Sequence, residues 1–219
     1  MPDTETADTV KALLARYGRS YSAELGLDLS RNTPSVLFRW LCASLLLSAR
    51  ISADLAMRGA KALAENGWTT AEKMAQSTWE ERTRCLNQSG YARYDERTSS
   101  MLGDVAQMLL ERYDGDLRKL REEAGRDPAR EHELLTRFKG IGDVGADIFL
   151  REAQIAWREN YPLADKKACN GARKLGLPDT AAELSTLVPD EGFADLVAAL
   201  VRADLDGADA DSLRRSAAD

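Results

Sequence analysis

The stretch LLTRFKGIGDVGADIFL, residues 134–150, decides the fold because two apolar segments flank a short turn that contains glycine. Its apolar residues recur at helical spacing on both sides, which predicts two helices joined by a tight connection. The turn Gly140-Ile141-Gly142 can bend sharply and let another molecule come close, since glycine lacks a Cβ atom. We expect Asp143 to cap the second helix, and the free N–H groups at its start to attract an anion such as a phosphate.

The composition extends this helical character to the whole chain. Among 219 residues there are 33 Ala and 30 Leu but only 7 Val and 4 Ile, a balance that favours helix over strand. Apolar residues make up 44% of the chain and charged residues 30%, which is typical of a globular protein and excludes a disordered one. We predict an all-α fold, with an Ala/Asp-rich tail that frays from Asp206 onward. Capping residues and apolar spacing predict helix starts near Thr78, Asp116 and Asp127 and longer helices over 92–113 and about 143–159.

The start of the chain and its cysteines indicate a cytoplasmic protein, associated with the nucleoid if the source is prokaryotic. No apolar run reaches the roughly 18 residues of a membrane span, and the acidic start MPDTETADTV is unlike a signal peptide. The three cysteines, Cys42, Cys85 and Cys169, lie far apart, with no pair at metal-ligand spacing. We therefore expect a reduced protein with no membrane partner and no metal site.

The net charge of −6 argues at first against a nucleic-acid partner, because phosphate binding usually shows as a basic excess. The acidity is concentrated near the C-terminus, however. Residues 176–219 hold ten acidic and three basic side chains, whereas residues 1–175 hold 26 acidic and 27 basic ones. Within 130–175 the balance is nine basic to seven acidic. The charge distribution therefore permits a DNA-binding surface in the part of the chain before Gly176.

The turn and its flanks resemble the helix-hairpin-helix motif, in which the hairpin amides hold the DNA backbone without reading its sequence. A Gly-x-Gly turn alone fits an ordinary tight turn equally well, so the neighbouring segments are needed to choose. LLLSARISAD, residues 45–54, resembles a segment of the endonuclease III-like branch of the helix-hairpin-helix DNA glycosylases. In that branch the residue at the position of Arg50 is usually Gln, and it fills the space left by an extruded base.

Two more segments resemble the same branch, in the same order along the chain. GYARYDERTSSML, residues 90–102, resembles the segment whose apolar residue wedges into the opposite DNA strand, and Tyr91 matches the wedge. PLADKKACNGARKLG, residues 162–176, resembles the segment that carries the catalytic aspartate, which would be Asp165. The similarity covers about residues 35–178, and the order of the four segments makes it much more specific than the hairpin alone.

The resemblance implies a fold and a partner. It implies a two-domain, all-α glycosylase fold, with a helical core domain at 35–155 that includes the motif and a second helical domain built from 1–34 and 156–219. Duplex DNA with a damaged or mismatched base would lie in the groove between them, bound by a monomer. The implied phosphate contacts come from the hairpin residues Lys139, Gly140, Ile141, Gly142, Asp143, Val144 and Gly145.

The resemblance also implies a chemistry, from which this chain departs at one position. A carboxylate at Asp165 would stabilise positive charge on the sugar and orient the attacking water; an ordinary helix N-cap is the alternative, and both can hold. Bifunctional members carry a nucleophilic lysine where this chain has Val144. We therefore predict a monofunctional DNA glycosylase of base excision repair. Lys166 and Lys167 are phosphate contacts in this interpretation, and a lyase that uses one of them stays an alternative.

A second departure concerns the iron–sulfur cluster of endonuclease III itself, which four cysteines hold near the end of the chain. Only Cys169 follows the aspartate segment here, so we expect no cluster. A monovalent cation at the hairpin carbonyl groups stays open as a cofactor. The alternative function is a non-catalytic DNA-binding module. Separately, Arg50 and Tyr91 could each be an ordinary surface residue that does not insert into DNA.

Overall fold

The computed structural model of the protein describes residues 4–216, and within that range the chain is built of helices and turns without a β-strand. No helix in this range is both long enough and apolar enough to cross a bilayer. The helices are α1 (Thr4–Tyr17), α2 (Tyr21–Glu24), α3 (Pro34–Leu47), α4 (Ala53–Glu65), α5 (Ala71–Gln76), α6 (Trp79–Gln88), α7 (Asp95–Tyr113), α8 (Leu117–Glu123), α9 (Pro128–Thr136), α10 (Asp143–Ala153), α11 (Lys166–Lys174), α12 (Ala181–Leu184), α13 (Phe193–Asp206) and α14 (Ala210–Ser216).

The chain divides into two compact units. The central unit is Leu25–Glu159 and contains α3 to α10. The terminal unit combines the chain up to Glu24 with the chain from Asn160 onward, and it contains α1, α2 and α11 to α14. The sequence-predicted core domain, 35–155, falls inside the central unit.

The central unit is organised around α3, which is apolar on almost all sides and packs against α4, α8 and α10. A helix that is apolar all round belongs in a core. Trp40 of α3 is fully buried, and its indole N–H donates to the carbonyl oxygen of Phe149 in α10 at 3.0 Å. This bond fixes α3 to the second helix of the hairpin, which positions the turn relative to the core.

Two capping residues mark helix starts that the sequence predicts. Thr78 makes both hydrogen bonds of a capping box with Glu81 at the start of α6, and Asp127 accepts from the N–H of Arg130 at the start of α9. Each side chain satisfies backbone donors that have no partner within the helix.

The terminal unit is built on α13, which packs against α1 and α11. Gly171 of α11 lies so close to α13 that a Cβ atom there would stand 2.3 Å from the carbonyl oxygen of Leu200. Glycine is therefore required for the contact between these two helices. The apolar core on both sides of α13 includes Leu13, Leu196 and Leu200.

Three predictions about helix extent are wrong. The tail after Asp206 forms α14, and Leu213 is 1% exposed in the apolar core, so burial of one leucine orders a segment whose composition predicted fraying. The helix predicted over 143–159 ends at Ala153. The helix predicted from residue 92 begins at Asp95, because residues 92–94 form a turn between α6 and α7.

Candidate functional site

The predicted hairpin is present between α9 and α10. Its second helix begins at Asp143, and Gly142 is the N-cap residue without any side-chain cap. The expectation that Asp143 caps α10 is therefore wrong: Asp143 is the first helical residue, and its side chain is exposed. The first N–H groups of a helix have no partner within it, and here no side chain at the cap position takes one of them.

Glycine is required at one position of the turn and leaves the surface open at another. Gly140 has φ of +92°, and a Cβ atom on it would stand 2.7 Å from the sulfur of Met101 and 3.3 Å from a methyl carbon of Leu45. Gly142, by contrast, has no atom within 4 Å of its Cβ position. The turn is thus packed against the core at Gly140 and accessible at Gly142.

The remaining hairpin residues divide into buried and exposed ones. Ile141 and Gly145 are buried, and two methyl carbons of Ile141 lie 3.4 Å and 3.6 Å from the place that a Cβ atom on Gly145 would take. Lys139 is exposed, and its ammonium group pairs with Asp104 of α7 at 2.6 Å. Val144 has 61% of its surface exposed, which is unusual for an apolar side chain at a helix start.

A cavity of about 680 Å³ in the central unit joins three of the segments that the sequence singles out. It is lined by the end of α3 and the turn after it, by the segment that leads into α7, and by the hairpin from Thr136 to Gly142. Arg50 and Tyr91 both line it, together with Lys139. Residues about 40 positions apart along the chain therefore meet at one place.

Arg50 lies at the apex of a tight turn in the cavity wall. The N–H of Ile51 donates to the carbonyl oxygen of Ala49 at 2.9 Å, which closes a three-residue turn around Arg50. The guanidinium side chain is exposed, and no carboxylate in the described part of the chain pairs with it. Arg50 is thus a cation presented at the cavity with its charge available.

Tyr91 lines the same cavity but is only 2% exposed. Its ring lies 3.5 Å from the Cβ position of Gly59 in α4, and its hydroxyl accepts a hydrogen bond from Thr98 at 3.5 Å. Burial raises the pKa of the Tyr91 hydroxyl above its ordinary value. In this structure Tyr91 is part of the cavity floor and does not project from the surface.

Tyr94, Arg97 and Arg137 are among the lining residues that the sequence prediction missed. Arg137 is exposed and pairs with Glu133 at 2.7 Å. Tyr94 and Arg97 lie in the segment 90–102, only three and six residues after the position at which the wedge was predicted. An aromatic and a basic residue at this helical spacing were the available signal, since they share one face of the start of α7.

Asp165 belongs to the terminal unit and is the N-cap residue of α11. One of its carboxylate oxygens accepts from the N–H of Ala168 at 2.9 Å, and the residue is half-buried. The alternative that Asp165 is a helix cap is therefore correct as a structural description. A cap and a functional carboxylate are compatible, because a carboxylate has several acceptor positions.

The two lysines after Asp165 differ in their contacts. Lys166 is exposed, whereas Lys167 lies 3.4 Å from the carboxylate of Asp204 in α13, which Lys174 also contacts at 2.6 Å. Burial would raise the pKa of Asp204, but the hydrogen bonds and charges of Lys174 and Lys167 hold it below its ordinary value. Lys167 therefore shares the carboxylate of Asp204 with Lys174.

Two solved structures have the same fold. The 3-methyladenine DNA glycosylase of H. pylori, bound to 1,N6-ethenoadenine, is 16% identical over 92% of this chain and 98% of its own, with a TM-score of 0.55. An endonuclease III in a non-covalent complex with DNA is 16% identical over 89% of this chain and 81% of its own, with a TM-score of 0.52. The chain has the fold of the helix-hairpin-helix DNA glycosylases. No protein-family model and no curated protein sequence matches it.

The predicted fold class is therefore confirmed. Within this glycosylase fold the iron–sulfur cluster of endonuclease III does not fit the residues present, since a cluster needs four thiolates and the whole chain has three cysteines. Cys42 and Cys85 are buried in the central unit, where burial raises the pKa of their thiols to about 12 and about 11. Across the described residues no group of three or more His, Cys, Asp or Glu side chains could hold a metal ion.

Proposed function

We propose that this protein is a monofunctional DNA glycosylase, which hydrolyses the N-glycosidic bond of a damaged or mismatched base turned out of duplex DNA. The convergence of three segments on one cavity carries this proposal. The turn after α3, the entry to α7 and the hairpin are distant in sequence, and the resemblance described above implies a contact with DNA for each of them. A cavity lined by Arg50, Arg97, Arg137 and Lys139 suits a polyanion.

The hairpin holds the DNA backbone in this proposal. The exposed glycine at position 142 lets a phosphate approach, and the first N–H groups of α10 point their partial positive charge toward it. Such contacts fix the position of the protein on DNA but carry no sequence information. Arg50 then lies at the neighbouring cavity wall, where a guanidinium group can fill the gap in the base stack and donate to the orphaned base.

Asp165 supplies the chemistry in this proposal. Breaking the glycosidic bond builds positive charge on the sugar, and a carboxylate stabilises that charge and orients a water molecule toward it. The carboxylate gives up one acceptor position to the N–H of Ala168. This bond holds the carboxylate in a defined orientation at the start of α11, as a catalytic group requires.

Val144 supports the restriction to hydrolysis. The bifunctional relatives use a lysine at this place in the motif, and valine cannot attack the sugar to form a Schiff base. Lys167 would have to leave its pairing with Asp204 to substitute for it. We therefore propose that the product is an intact strand with an abasic site.

The same observation favours a second candidate, a DNA-binding protein without catalytic activity. An exposed valine where relatives have a nucleophile is what a chain that has lost the chemistry would show. The two candidates agree about the hairpin and differ only about Asp165.

One experiment separates these functions. Duplex oligonucleotides carrying 3-methyladenine, 1,N6-ethenoadenine, oxidised, deaminated or mismatched bases are incubated with the protein and then heated with or without alkali. Strand breaks that appear only after alkali support hydrolysis without lyase activity. Binding to every duplex without breaks on any of them would support the non-catalytic candidate, and breaks without alkali, with borohydride trapping, would support a lysine nucleophile.

A further inference from the structure

A groove of about 360 Å³ runs along one face of α6, in a part of the central unit to which the proposed function gives no role. The residues that line it share this face at helical spacing, and they are Trp79, Glu80, Thr83, Arg84, Asn87 and Gln88. All but Thr83 are exposed, and none of them lines the cavity at the hairpin. This face of α6 is therefore open to a partner along the whole length of the helix.

Trp79 is the apolar anchor of the groove. It is 38% exposed, although tryptophan is on average a well-buried residue. Its indole N–H is shared between the carbonyl oxygen of Glu96 and the hydroxyl oxygen of Ser100, both at 3.2 Å, so the ring is held in one orientation at the surface. A side chain that is already fixed loses little entropy when a partner covers it, and tryptophan is among the residues that contribute most to protein–protein contacts.

Glu80 and Arg84 lie in the same groove, one helical turn apart. An acidic and a basic residue at this spacing can pair on a helix surface, yet neither of them makes an ion pair with any part of the chain that the structure describes. The hydroxyl oxygen of Thr83 is buried and likewise has no hydrogen-bond partner there. The face thus combines two unpaired charges of opposite sign with an unsatisfied hydroxyl group, which a docked surface can satisfy.

The order of these residues matches a second copy of α6 that runs antiparallel. A two-fold axis that passes between Thr83 and Arg84 maps the six positions of the groove onto themselves, so the same face serves on both copies. This arrangement brings Trp79 to the Gln88 end of the other groove. It also brings Glu80 within one helical turn of Arg84 of the second copy, and the symmetry repeats this pair. A strongly acidic or strongly basic partner would instead meet a repelling charge at one of the two positions.

We propose that this face of α6 is a contact between two copies of the chain, with the helices antiparallel and Glu80 of each copy paired with Arg84 of the other. Such a dimer differs from the monomer that the resemblance implies, and it does not depend on base release. A helix of ten residues is only about 15 Å long. The contact is therefore at the small end of specific interfaces, and association is weak and reversible.

The first measurement is the molecular mass of the whole protein by sedimentation, at concentrations from about 5 to about 500 μM, a range that covers weak association. A thiol reductant is present throughout, so that disulfide-linked dimers do not form. We expect the mass to rise with concentration from that of one chain toward that of two. A mass that stays at one chain over the whole range would overturn the proposal and leave this face to a different partner.

Charge reversal then identifies the contact. Glu80→Arg and Arg84→Glu each place like charges opposite one another twice, so each variant alone should dimerise at least about tenfold more weakly than the unchanged protein. An equal mixture of the two variants should recover the dimer, because every facing pair is then of opposite sign. The double variant, Glu80→Arg with Arg84→Glu, should recover it alone. Only a contact between two copies of this face predicts both recoveries.

Glu65→Arg and Lys73→Glu are the matched controls, since both residues are exposed and lie outside the groove. Alone or mixed, they should dimerise like the unchanged protein. Thermal melting shows whether each variant is folded, and the double variant carries both substitutions, so its recovery separates a lost contact from a lost fold. Full dimerisation of either single groove variant, or a mixture of folded variants that stays monomeric, would refute this contact.

Discussion

At the scale of single residues, Gly140 and Gly142 of the hairpin turn are needed for different reasons. Gly140 fits under Met101 and Leu45 with a positive φ, so its requirement comes from folding. Gly142 has open space around its Cβ position, so any requirement for it comes from what approaches the surface. Substitution separates the two roles.

We predict that Gly140→Ala lowers the free energy of unfolding by about 1–3 kcal/mol, because the added methyl group meets Met101 and the left-handed backbone is strained. Gly142→Ala should change it by less than about 1 kcal/mol yet weaken binding of duplex DNA. Urea unfolding and anisotropy titration measure the two effects. Unchanged DNA affinity in Gly142→Ala would show that no phosphate approaches there.

Asp165 permits a similarly clean substitution, because asparagine is as good an N-cap as aspartate. We predict that Asp165→Asn keeps its melting temperature within about 3 °C and its DNA affinity within about twofold, but loses at least about 100-fold in the rate of base release. Asp127→Asn is the matched control, since Asp127 caps α9 in the same way. A fully active Asp165→Asn variant would remove this carboxylate from the mechanism.

The sequence could supply the hairpin turn and the helix start at Asp165, because short motifs carry them; the roles of Arg50 and Asp165 stay predictions. It could not supply the orientation of Tyr91. Whether an aromatic residue in a loop faces the solvent or the core depends on the helix packed behind it, and α4 with Gly59 provides that packing from 32 residues away. Likewise, the sequence does not show that Tyr94 lines the cavity, because the cavity is formed only when α3, α7 and the hairpin pack together.

At the scale of elements, the end of the central unit is fixed by an ion pair with little exposure. Arg121 of α8 donates two hydrogen bonds of 2.5 Å, from Nε and Nη2, to the carboxylate of Glu159. The guanidinium carbon of Arg121 also lies 5.6 Å from the centre of the Trp157 ring. Burial acts to raise the pKa of Glu159, but the hydrogen bonds and charge of Arg121, together with hydrogen bonds to the Glu159 backbone and to Glu131, lower it from the ordinary value of 4.5 to about 2.

This pair predicts a pH dependence of stability. A carboxyl group whose pKa is lowered by folding stabilises the protein above its unfolded pKa, and that stability is lost as the pH falls from about 4.5 towards 2. We expect about 3 kcal/mol in this window from all the contacts that lower the pKa of Glu159, of which the bonds with Arg121 are the largest. The Glu159→Gln variant should have a lower free energy of unfolding at pH 7, because Arg121 loses its partner. Between pH 4.5 and 2 its free energy of unfolding should change less with pH than that of the unchanged protein.

Glu133→Gln provides the control for this measurement. Glu133 pairs with Arg130 and Arg137 on the surface, where water screens the charges, so its loss should leave the acid unfolding profile close to that of the unchanged protein. Equal profiles for Glu159→Gln and Glu133→Gln in urea unfolding at several pH values would contradict the assignment of the acid sensitivity to Glu159.

Helix starts were the most predictable elements and helix ends the least. The starts of α6, α8 and α9 are each marked by a capping side chain that accepts a backbone hydrogen bond, from Thr78, Asp116 and Asp127 respectively. The end of α10 at Ala153 and the existence of α14 have no comparable local signal, since both depend on tertiary packing. The burial of Leu213 in the apolar core stabilises α14, and amino-acid composition does not reveal such burial.

At the scale of the whole molecule, the acidity belongs mainly to one unit. The chain up to Glu24 and from Asn160 onward carries 15 acidic and 10 basic side chains, whereas Leu25–Glu159 carries 21 and 20. The unit that contains the hairpin and the cavity is therefore nearly balanced. The cations Arg50 and Arg97 therefore lie in a unit whose net charge is close to zero, and most of the negative charge of the chain lies in the other unit.

We predict that neutralising exposed carboxylates of the terminal unit strengthens DNA binding. Glu191→Gln with Asp209→Asn removes two charges, and asparagine can still accept the hydrogen bond that Asp209 takes from Ser212. Affinity for duplex DNA should rise about twofold in 50 mM salt and return to that of the unchanged protein near 1 M, where screening is nearly complete. Equal or weaker binding at low salt would contradict this account of the charge.

Truncation after Asp206 would be a poor substitute for these charge changes. Removing α14 also removes Leu213 from the core, which should cost about 2–5 kcal/mol of stability. A loss of DNA binding in the truncated protein would then report on unfolding of the terminal unit and not on charge.

In the proposed function, this fold and cavity serve the release of a base from DNA. The most direct measurement is mass spectrometry of free bases released from genomic DNA that has been alkylated, oxidised or deaminated, with the unchanged protein and Asp165→Asn compared in parallel. We predict that the unchanged protein releases at least one modified base as the free base, and that the variant releases none above background. If no free base appears from any damaged DNA while the protein still binds that DNA, the chain is not a glycosylase.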